Sequence, residues 1–436
     1  MKSTKEPILK LLNSVYKYLV AAIFIFIPLY PKFPLFTLPF TYVAIRAEDF
    51  LIGVTLLVLF LKLIMERNFK FPKVTYPFFV YLGIGLLSSL SAILVTKNVN
   101  SPLVLLHYFR RLEYMSLFFI VYFAAKSMAN KKYLLELAIY PVIGVLLYGL
   151  AQIYLGAPVI STMDSESSKG IALTLRPGVM LNSTFAGHYD LAIYLIMIMT
   201  FLASLSFSFK KNLPKILITL PFLSLLWLFM QAGSRIGLLG LSISICILTY
   251  YYKNLVLGVI YLGLIFSSVL TSPQYISRFM NLYNVVLDKF SQITIFKPVY
   301  ATEEQRAIQN DTSTSIRFDV EWPRAMRSFY KNPLLGTGYS SISLATDNDY
   351  LRALGETGLL GLLSFLSLLI YIFKKLKKLA LDNLGLNKVI AVSTLAIFVA
   401  FITSAVFIDV FESSKIAILF WSYLGLAFST ENVSKV

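Results

Sequence analysis

Apolar runs of about 20 residues, separated by short polar segments, recur along the whole chain. An α-helix of that length rises about 1.5 Å per residue, so it can cross a hydrocarbon core about 30 Å thick. The hydrophobic fraction of 57% and the mean hydropathy of +0.74 exclude an ordinary soluble globular protein. We predict an all-α, polytopic membrane protein with about 12 transmembrane helices. The predicted spans are residues 11–30, 48–66, 75–95, 108–127, 133–155, 185–207, 214–231, 235–251, 254–271, 350–373, 387–408 and 412–430.

The basic residues indicate how these spans are oriented. Lysine and arginine cluster in every second loop, and such loops remain in the cytoplasm by the positive-inside rule. Both termini are therefore expected in the cytoplasm, and the intervening loops, among them 31–47, 156–184 and 272–349, at the outer face. The net charge of +17 thus reflects membrane topology and predicts no nucleic-acid partner. The cytoplasmic clusters are Lys2, Lys5 and Lys10; Arg67, Lys70 and Lys73; Lys126, Lys131 and Lys132; Lys210, Lys211 and Lys215; Lys253; and Lys374, Lys375, Lys377, Lys378 and Lys388.

Few residue types suit redox or metal chemistry. The single cysteine, Cys246, lies inside an apolar run, so neither a disulfide nor a thiolate metal site is expected. The two histidines, His107 and His188, are too few for a histidine metal site. The first apolar run is long and lacks a small-residue cleavage signal, so we expect a retained helix rather than a signal peptide. We predict one integral-membrane domain over residues 1–436, without cofactor or metal.

The segment 272–349, between spans 9 and 10, is too long to be a simple connection. Two stretches in it, YISRFMNLYNVVLDKF and DVEWPRAMRSFY, are amphipathic at helical spacing. Trp322, Phe329 and Tyr330 suit a helix that lies at the membrane interface. We therefore expect a long extracytoplasmic loop that contains interfacial helices, with a poorly ordered loop as the alternative.

Charged residues that the topology does not explain gather at the predicted outer face. A transporter that alternates access places its polar site near the bilayer midplane, but those positions here are leucine, isoleucine, valine and phenylalanine. Outward-facing arginines oppose the positive-inside bias and cost about 2–3 kcal/mol at depth, so we expect an anionic ligand or a carboxylate partner for them. The predicted anion site comprises Arg176, Arg235, Arg317, Arg324 and Arg327. The same face carries Glu48, Asp49, Arg110, Arg111, Glu113, Asp190, Asp409 and Glu412.

Several segments carry a resemblance to a known family. The first segment is the start of span 8, QAGSRIGLLGLSISI, which resembles a helix start of the form small-Ser-Arg-Gly with Ile236 where glycine often stands. The second is the end of the long loop, RAMRSFYKNPLLGTGYSS, which is followed by the helix segment DNDYLRALGETGLLGLLSF. An arginine followed by ten residues and a glycine occurs twice, from Arg176 to Gly187 and from Arg327 to Gly338. In these features the chain resembles the bacterial O-antigen ligase and polymerase superfamily. In that superfamily, an arginine followed by ten residues and a glycine is associated with the polymerases.

The resemblance implies a GT-C-like membrane glycosyltransferase that acts at the outer face of the bacterial cytoplasmic membrane. The implied substrates are a polyprenyl-pyrophosphate-linked glycan donor and acceptor, with membrane lipid, a chain-length regulator and a flippase as partners. The ligase branch has a His-Asn pair where this chain has Asp347-Asn348. The resemblance therefore favours a Wzy-type polymerase of oligosaccharide repeat units, which makes O-antigen or another surface polysaccharide.

Such a polymerase joins a sugar hydroxyl to an anomeric carbon while pyrophosphate leaves, through an oxocarbenium-like transition state. A carboxylate can accept the hydroxyl proton, and planar guanidinium groups can bind the leaving phosphate oxygens. We expect Asp347 to be the base, with Asp349 or Glu356 as alternates. The expected pyrophosphate ligands are Arg176, Arg235 and Arg327, with Arg317 and Arg324 as second choices and His188 near the acceptor.

Other roles remain open for the same side chains. Asp347 and Asp349 can stabilise a helix N-terminus, Glu356 can be buried against an arginine, and His188 can make an ordinary structural hydrogen bond. The Asp347-Asn348-Asp349 segment also has the form of a divalent-metal site, although an arginine cluster would make a metal redundant. For the whole protein, the alternatives are an O-antigen-type ligase that transfers finished glycan to another acceptor, and a lipid-linked-glycan transporter.

Overall fold

The computed structural model is almost entirely helical, which confirms the all-α prediction. It describes residues 2–38, 41, 43–67, 70–97, 99–160, 172–173, 180–272, 275–277, 279–280, 283, 317–342 and 346–433. In chain order the elements are α1 (Lys2–Leu29), β1 (Pro34–Thr37), β2 (Ala44–Arg46), α2 (Ala47–Glu66), α3 (Thr75–Ser91), α4 (Ser101–Ala124), α5 (Met128–Leu137), α6 (Ile139–Tyr154), β3 (Val159–Ile160), β4 (Ala172–Leu173), α7 (His188–Ser208), α8 (Asn212–Ala232), α9 (Arg235–Tyr252), α10 (Leu255–Leu270), α11 (Trp322–Lys331), α12 (Asp349–Asp382), α13 (Gly385–Ser404) and α14 (Ser414–Phe428). Ala92–Thr96 continues α3 as a π-helical turn, Arg317–Glu321 precedes α11 as another, and the 3-10 turn Ser429–Val433 follows α14.

The lengths and hydropathy of the helices identify an integral membrane protein. Within the described part of the chain, 8 helices are long and apolar enough to cross a membrane. They are Glu6–Leu29, Thr75–Thr96, Met128–Tyr154, His188–Ser208, Asn212–Ala232, Arg235–Tyr252, Asp349–Asp382 and Gly385–Ser404. Shorter or more charged helices lie at the other predicted spans, namely α2, α4, α10 and α14. A helix therefore lies at every predicted span, while the number of spans that cross the membrane stays a prediction.

The centre of the bundle consists of α7 and α13, whose side chains are mostly buried. α7 packs against α8, α9 and α13, and α13 also packs against α9, α12 and α14. α14 lies along α4, where Gly425 allows close approach because a Cβ there would overlap the carbonyl oxygen of Phe118. This packing brings the first turns of α7 and α9 together with the end of α13 at one end of the bundle.

A short antiparallel hairpin of β1 and β2 lies in the predicted outer loop 31–47 and leads directly into α2. Asp49 Oδ2 accepts a hydrogen bond from the Arg46 N–H (2.9 Å), which satisfies a free donor at the start of α2. From α4, Arg110 Nη2 donates to the carbonyl oxygen of Ala44 (2.5 Å). The hairpin, which the hydropathy pattern did not predict, thus fixes Arg46 and Asp49 beside α4.

The described part of the long loop is helical before α12 begins. Pro323 lies in the first turn of α11, where its missing N–H removes no hydrogen bond. The Trp322 ring lies 4.5 Å from the Phe318 ring and 6.2 Å from the Phe407 ring, so this segment docks on the α13–α14 connection. The second amphipathic stretch is therefore helical, as its periodicity predicts. Most of the first stretch, residues 275–290, lies outside the described residues.

Helix α12 is interrupted at Gly358, which has a φ of 68° that favours glycine. Residues 333–338 run along this interruption, and the Gly338 N–H donates to the Glu356 carbonyl oxygen (2.8 Å). A Cβ on Gly336 or Gly358 would overlap the backbone of the opposing segment. Glycine at both positions thus lets two backbones pass in contact, which anchors the loop that leads to the start of α12.

Candidate active site

A cavity of about 460 Å³ opens at the end of the bundle where α7 and α9 begin. Its polar lining includes Tyr189 in the first turn of α7, Arg235 at the first position of α9, and Arg317 from the long loop. Apolar walls come from Ile236, Leu238, Leu239, Phe279 and Phe407. The volume is in the range of small-molecule binding sites, and two guanidinium groups make the cavity suited to an anion.

The turn between α8 and α9 places Arg235 at this cavity. The turn passes through Gly233, with a φ of 62°, and Ser234 Oγ caps α9 by accepting a hydrogen bond from the Gly237 N–H (3.1 Å). Tyr275 donates its hydroxyl to the Ser234 carbonyl oxygen (3.2 Å), which ties the turn to the start of the long loop. Because Arg235 begins a helix, the partial positive charge of the helix N-terminus adds to the attraction for an anion.

The second cavity arginine, Arg317, is paired with Asp347. Arg317 Nη2 lies 2.7 Å from Asp347 Oδ2, and Arg317 Nε donates to the same oxygen at 2.9 Å. Burial raises the pKa of Asp347 above its ordinary value, and the neighbouring Arg317 opposes that rise. The structure thus pairs the predicted base with Arg317, a predicted anion-binding arginine that lines the cavity.

Glu321 is a further carboxylate beside this pair, and its side chain is buried. Burial raises the pKa of Glu321 to about 7, with additional contributions from Asp347 and Asp409. Arg317 and Arg324 act in the opposite direction. A carboxyl group that titrates near neutrality can exchange protons at physiological pH. The sequence does not indicate a role for Glu321, because an acidic residue in an amphipathic stretch gives no sign of burial.

Asp409, in the α13–α14 connection, holds the backbone on both sides of Asp347. Its Oδ2 accepts a hydrogen bond from the Thr346 N–H (2.8 Å), and its Oδ1 accepts one from the Asn348 N–H (3.1 Å). Arg352 Nη2 also donates to Oδ2 (2.8 Å). Burial acts to raise the pKa of Asp409, but Arg352 and the backbone N–H groups outweigh it and lower the pKa. The charged Asp409 thus braces Asp347, whose φ of 48° is one that side-chain-bearing residues rarely adopt.

Asn348 and Asp349 serve the start of α12. Asn348 Oδ1 caps the helix by accepting hydrogen bonds from the N–H groups two and three residues later (3.1 and 2.9 Å). Asp349 is buried, its N–H donates to the Ala405 carbonyl oxygen (2.9 Å), and its Oδ2 accepts a hydrogen bond from the Phe411 N–H (3.2 Å). The capping role therefore belongs to Asn348, and Asp349 links α12 to the α13–α14 connection.

Glu356 lies inside the bundle and is 1% exposed. Its carboxylate oxygens lie 3.3 Å from Arg111 Nη2 and 3.3 Å from Arg352 Nη1. It also accepts a hydrogen bond from the Ser340 N–H (3.1 Å), and Arg111 makes a second ion pair with Glu412. These contacts match the alternative in which Glu356 is buried against arginine, so we do not place it in the reaction.

The remaining predicted site residues occupy different positions. His188 is the first residue of α7, and its ring lies 4.0 Å from the ring of Tyr189 at the cavity. Arg324 is partly buried on α11 near Glu321. Arg327, on the same helix, is exposed and does not belong to the described cavity lining. Arg176 lies outside the described residues.

The two aspartates of the Asp347-Asn348-Asp349 segment have separate partners. Asp347 is paired with Arg317, whereas Asp349 Oδ2 accepts the Phe411 N–H. Among the residues that the structure describes, there is no group of three or more His, Cys, Asp and Glu side chains that could hold a metal ion.

A comparison with protein-family models gives a match over residues 220–366 to the family described as O-antigen ligase. The matched segment runs from α8 through Arg235, Arg317 and Asp347 into α12. A search of curated proteins found no match. The family match confirms the resemblance seen in the sequence and supports a membrane enzyme of the O-antigen ligase or polymerase type. Residues 220–366 are therefore similar to the domain of the O-antigen ligase family, which supports the O-antigen ligase and polymerase superfamily as the relatives of this chain.

Proposed function

We propose that the protein polymerises polyprenyl-pyrophosphate-linked oligosaccharide repeat units at the outer face of the cytoplasmic membrane. The observation that supports this proposal is one cavity that both Arg235 and Arg317 line, with Asp347 paired to Arg317. Two guanidinium groups match the charge that develops on a pyrophosphate leaving group, and a carboxylate can accept a hydroxyl proton. Asp347 replaces the histidine of the ligase branch, which favours the polymerase.

In the proposed reaction, a hydroxyl oxygen of the acceptor glycan forms a bond to the anomeric carbon of the donor. The bond from that carbon to the pyrophosphate oxygen breaks, and polyprenyl pyrophosphate leaves with the bonding electrons. The hydroxyl proton passes to the Asp347 carboxylate. Arg235 and Arg317 stabilise the negative charge on the leaving phosphate throughout this step.

The ion pair between Arg317 and Asp347 couples donor binding to the strength of the base. Without donor, Arg317 gives two N–H groups to Asp347 and opposes the rise of its pKa. A pyrophosphate that takes over these N–H groups removes this effect, so the pKa of Asp347 rises and its carboxylate becomes free to face the acceptor. Asp347 is thus a stronger base after the donor has bound.

A second candidate is an O-antigen-type ligase, which the description of the matching family model favours. It would use the same donor site, but it would transfer finished glycan to a different acceptor. Product size separates the two functions, since a polymerase lengthens a lipid-linked glycan and a ligase changes what the glycan is attached to.

The test is incubation of the purified protein in lipid nanodiscs with a polyprenyl-pyrophosphate oligosaccharide, followed by gel analysis. A ladder of longer lipid-linked glycans supports the polymerase, and one product on an added second acceptor supports the ligase. Recovery of unchanged glycan from the wild-type protein would refute both.

Arg235→Ala and Arg317→Ala should each lower the elongation rate about 10²–10³-fold, the usual effect of removing one preorganised donor. Lys331→Ala removes an exposed cation from the end of α11 and is the matched control. Size-exclusion chromatography and thermal unfolding check that each variant is folded. Folded arginine variants that elongate glycan at the wild-type rate would refute the proposed site.

A further inference from the structure

A second polar cavity, of about 270 Å³, lies among α1, α2, α4 and α5. It is at the opposite end of the bundle from the candidate active site. Arg110 contacts the hairpin near the active-site end of α4, whereas Phe123 lines this cavity 13 residues later, roughly 20 Å along the helix. The lysine-rich segments share this end, which the positive-inside rule places in the cytoplasm.

The lining of this cavity combines two lysines with neutral hydrogen-bonding groups. Lys17 and Lys62 approach it from α1 and α2, and Asn13, Ser14 and Asn130 add amide and hydroxyl groups. Ammonium groups attract phosphate as compact point charges, and amides and hydroxyls can bind the polar substituents around it.

Aromatic rings hold the two lysines in place. Lys17 Nζ lies 4.3 Å from the centre of the Tyr133 ring, and Lys62 Nζ lies 5.0 Å from the centre of the Tyr16 ring. Tyr16 is itself fixed, since its side chain is 2% exposed and its hydroxyl donates to a backbone carbonyl of α4. The lysines are therefore positioned at the cavity by their neighbours, unlike lysines that are only solvated.

The charge around the cavity is positive. Its described lining contains no acidic side chain. Glu66 pairs with Lys62 at 3.9 Å, and a further cation, Lys126, lies at 4.6 Å from the Phe123 ring that lines the cavity. Three lysines thus face one carboxylate, which leaves an excess charge for an anion to neutralise.

Apolar surface beside the cavity indicates which source of phosphate fits. Leu11, Val15 and Tyr18 of α1 are 64%, 37% and 68% exposed and belong to the same part of the helix as the lining residues. Basic sites between helices at the cytoplasmic face, next to apolar surface, are typical of anionic lipid headgroups. A free phosphate would gain nothing from the apolar surface.

We propose that this cavity binds the phosphate headgroup of an anionic membrane lipid, with Lys17 and Lys62 as its ligands. The acyl chains lie along the exposed apolar side chains of α1. The site is separate from the outer cavity and does not depend on the reaction catalysed there.

Native mass spectrometry of the full-length protein, with phosphatidylglycerol and phosphatidylcholine as probes, tests the proposal. The wild-type protein should retain phosphatidylglycerol in preference to phosphatidylcholine. Each lysine should contribute about fivefold to that preference, so Lys17→Ala combined with Lys62→Ala should reduce it about 25-fold. Lys132→Ala is the matched control, because its side chain is 71% exposed, lies on α5 and does not line this cavity.

The single variant Lys17→Ala should fold even if the double variant does not, since the Lys17 side chain is exposed and its loss leaves the core unchanged. It should reduce the preference about fivefold, and Lys17→Arg should restore it. An unchanged preference in Lys17→Ala, or an equal loss in Lys132→Ala, would overturn the site. Displacement of the lipid by soluble glycerol phosphate at an equal concentration would overturn the lipid as the ligand.

Discussion

Asp409→Asn tests whether the brace around Asp347 supports the proposed reaction. Asparagine has nearly the same shape, but it has one acceptor oxygen and no charge. Its oxygen can replace only part of the contacts that Asp409 makes with the N–H groups of Thr346 and Asn348. Its amide nitrogen is a donor, so on one side it faces another donor, either a backbone N–H or the Arg352 guanidinium. The loop that carries Asp347 should therefore shift.

The contacts allow the size of the effect to be estimated. A hydrogen bond to a charged group contributes about 1.5–3 kcal/mol, and removal of one partner of a buried ion pair costs about 3–5 kcal/mol. The side chains of Arg352 and Asp409 are 12% and 13% exposed, so the lower end, about 3 kcal/mol, applies to their pair. A displacement of about 1 Å in a reacting group lowers a rate about 10²-fold. We expect turnover to fall about 100-fold with little change in the KM for the donor, because Arg235 and Arg317 are retained.

The pH–rate profile distinguishes this effect from a general loss of stability. The negative charge of Asp409 contributes to the raised pKa of Asp347, so removing it lowers that pKa. A base is active when deprotonated, and the acidic limb of the elongation rate should therefore move to lower pH. The assay is the initial rate of elongation in nanodiscs across pH, with thermal unfolding measured in parallel. Wild-type turnover and an unmoved limb in folded Asp409→Asn would refute the role of the brace.

Three further perturbations test the chemistry of the site. Arg317→Lys should remain at least about tenfold slower than wild type in initial rate, because lysine cannot donate from both Nε and Nη2; full activity would contradict the need for a guanidinium group. Glu321→Gln should raise the unfolding temperature at about pH 8 and have little effect near pH 4. The pKa of Glu321 is raised to about 7, so the folded state binds the carboxyl proton more tightly than the unfolded state does, and the stability of the wild-type protein falls as pH rises toward 7. If the difference in unfolding temperature between Glu321→Gln and wild type did not depend on pH, it would contradict the burial of Glu321 as a protonated acid. Elongation should persist in EDTA, and loss that magnesium reverses would make Asp347 and Asp349 metal ligands.

The helices and some local features of the site could be predicted because their signals are local. Bilayer thickness sets the length of a span whatever the helix packs against, so the hydropathy pattern alone locates it. Gly233 and Ser234 mark the helix end and start that place Arg235. Asn348 is an equally local cap, but the aspartates on both sides of it are caps of similar strength, and the sequence does not distinguish them.

The partner of Asp347 could not be predicted from the sequence. Five arginines share the same charge and the same predicted face, and the sequence makes Arg176, Arg235 and Arg327 the first choices. The choice depends on tertiary contact, which joins Asp347 to Arg317 across 30 residues and leaves Arg327 exposed on α11. Burial of Glu321 and Asp409 has the same origin, since it arises where the long loop docks on the α13–α14 connection.

In the proposed site, the balance of charge is compatible with an aspartate at the position where the resemblance places the histidine of the ligase branch. A carboxylate repels a pyrophosphate unless cations outnumber the negative groups. Three arginines, Arg235, Arg317 and Arg324, lie at or beside the cavity with two carboxylates, Glu321 and Asp347. Arg352 is shared between Asp409 and Glu356 and adds no positive excess. With its pKa near 7, Glu321 is partly neutral at physiological pH, so the cations keep their excess while Asp347 is charged.

Asp347→His tests this reasoning, because imidazole is a neutral base that adds no negative charge beside the donor. The variant should retain measurable elongation and donor binding, and the acidic limb of its pH–rate profile should follow the imidazole, whose ordinary pKa is about 6.5, in place of the carboxyl group. Asp347→Asn is the matched control, since it keeps the shape without a base and should be inactive. Equal rates for the two variants would contradict a role for residue 347 as the base. The positive excess would then serve donor binding alone, and a different group would have to accept the hydroxyl proton.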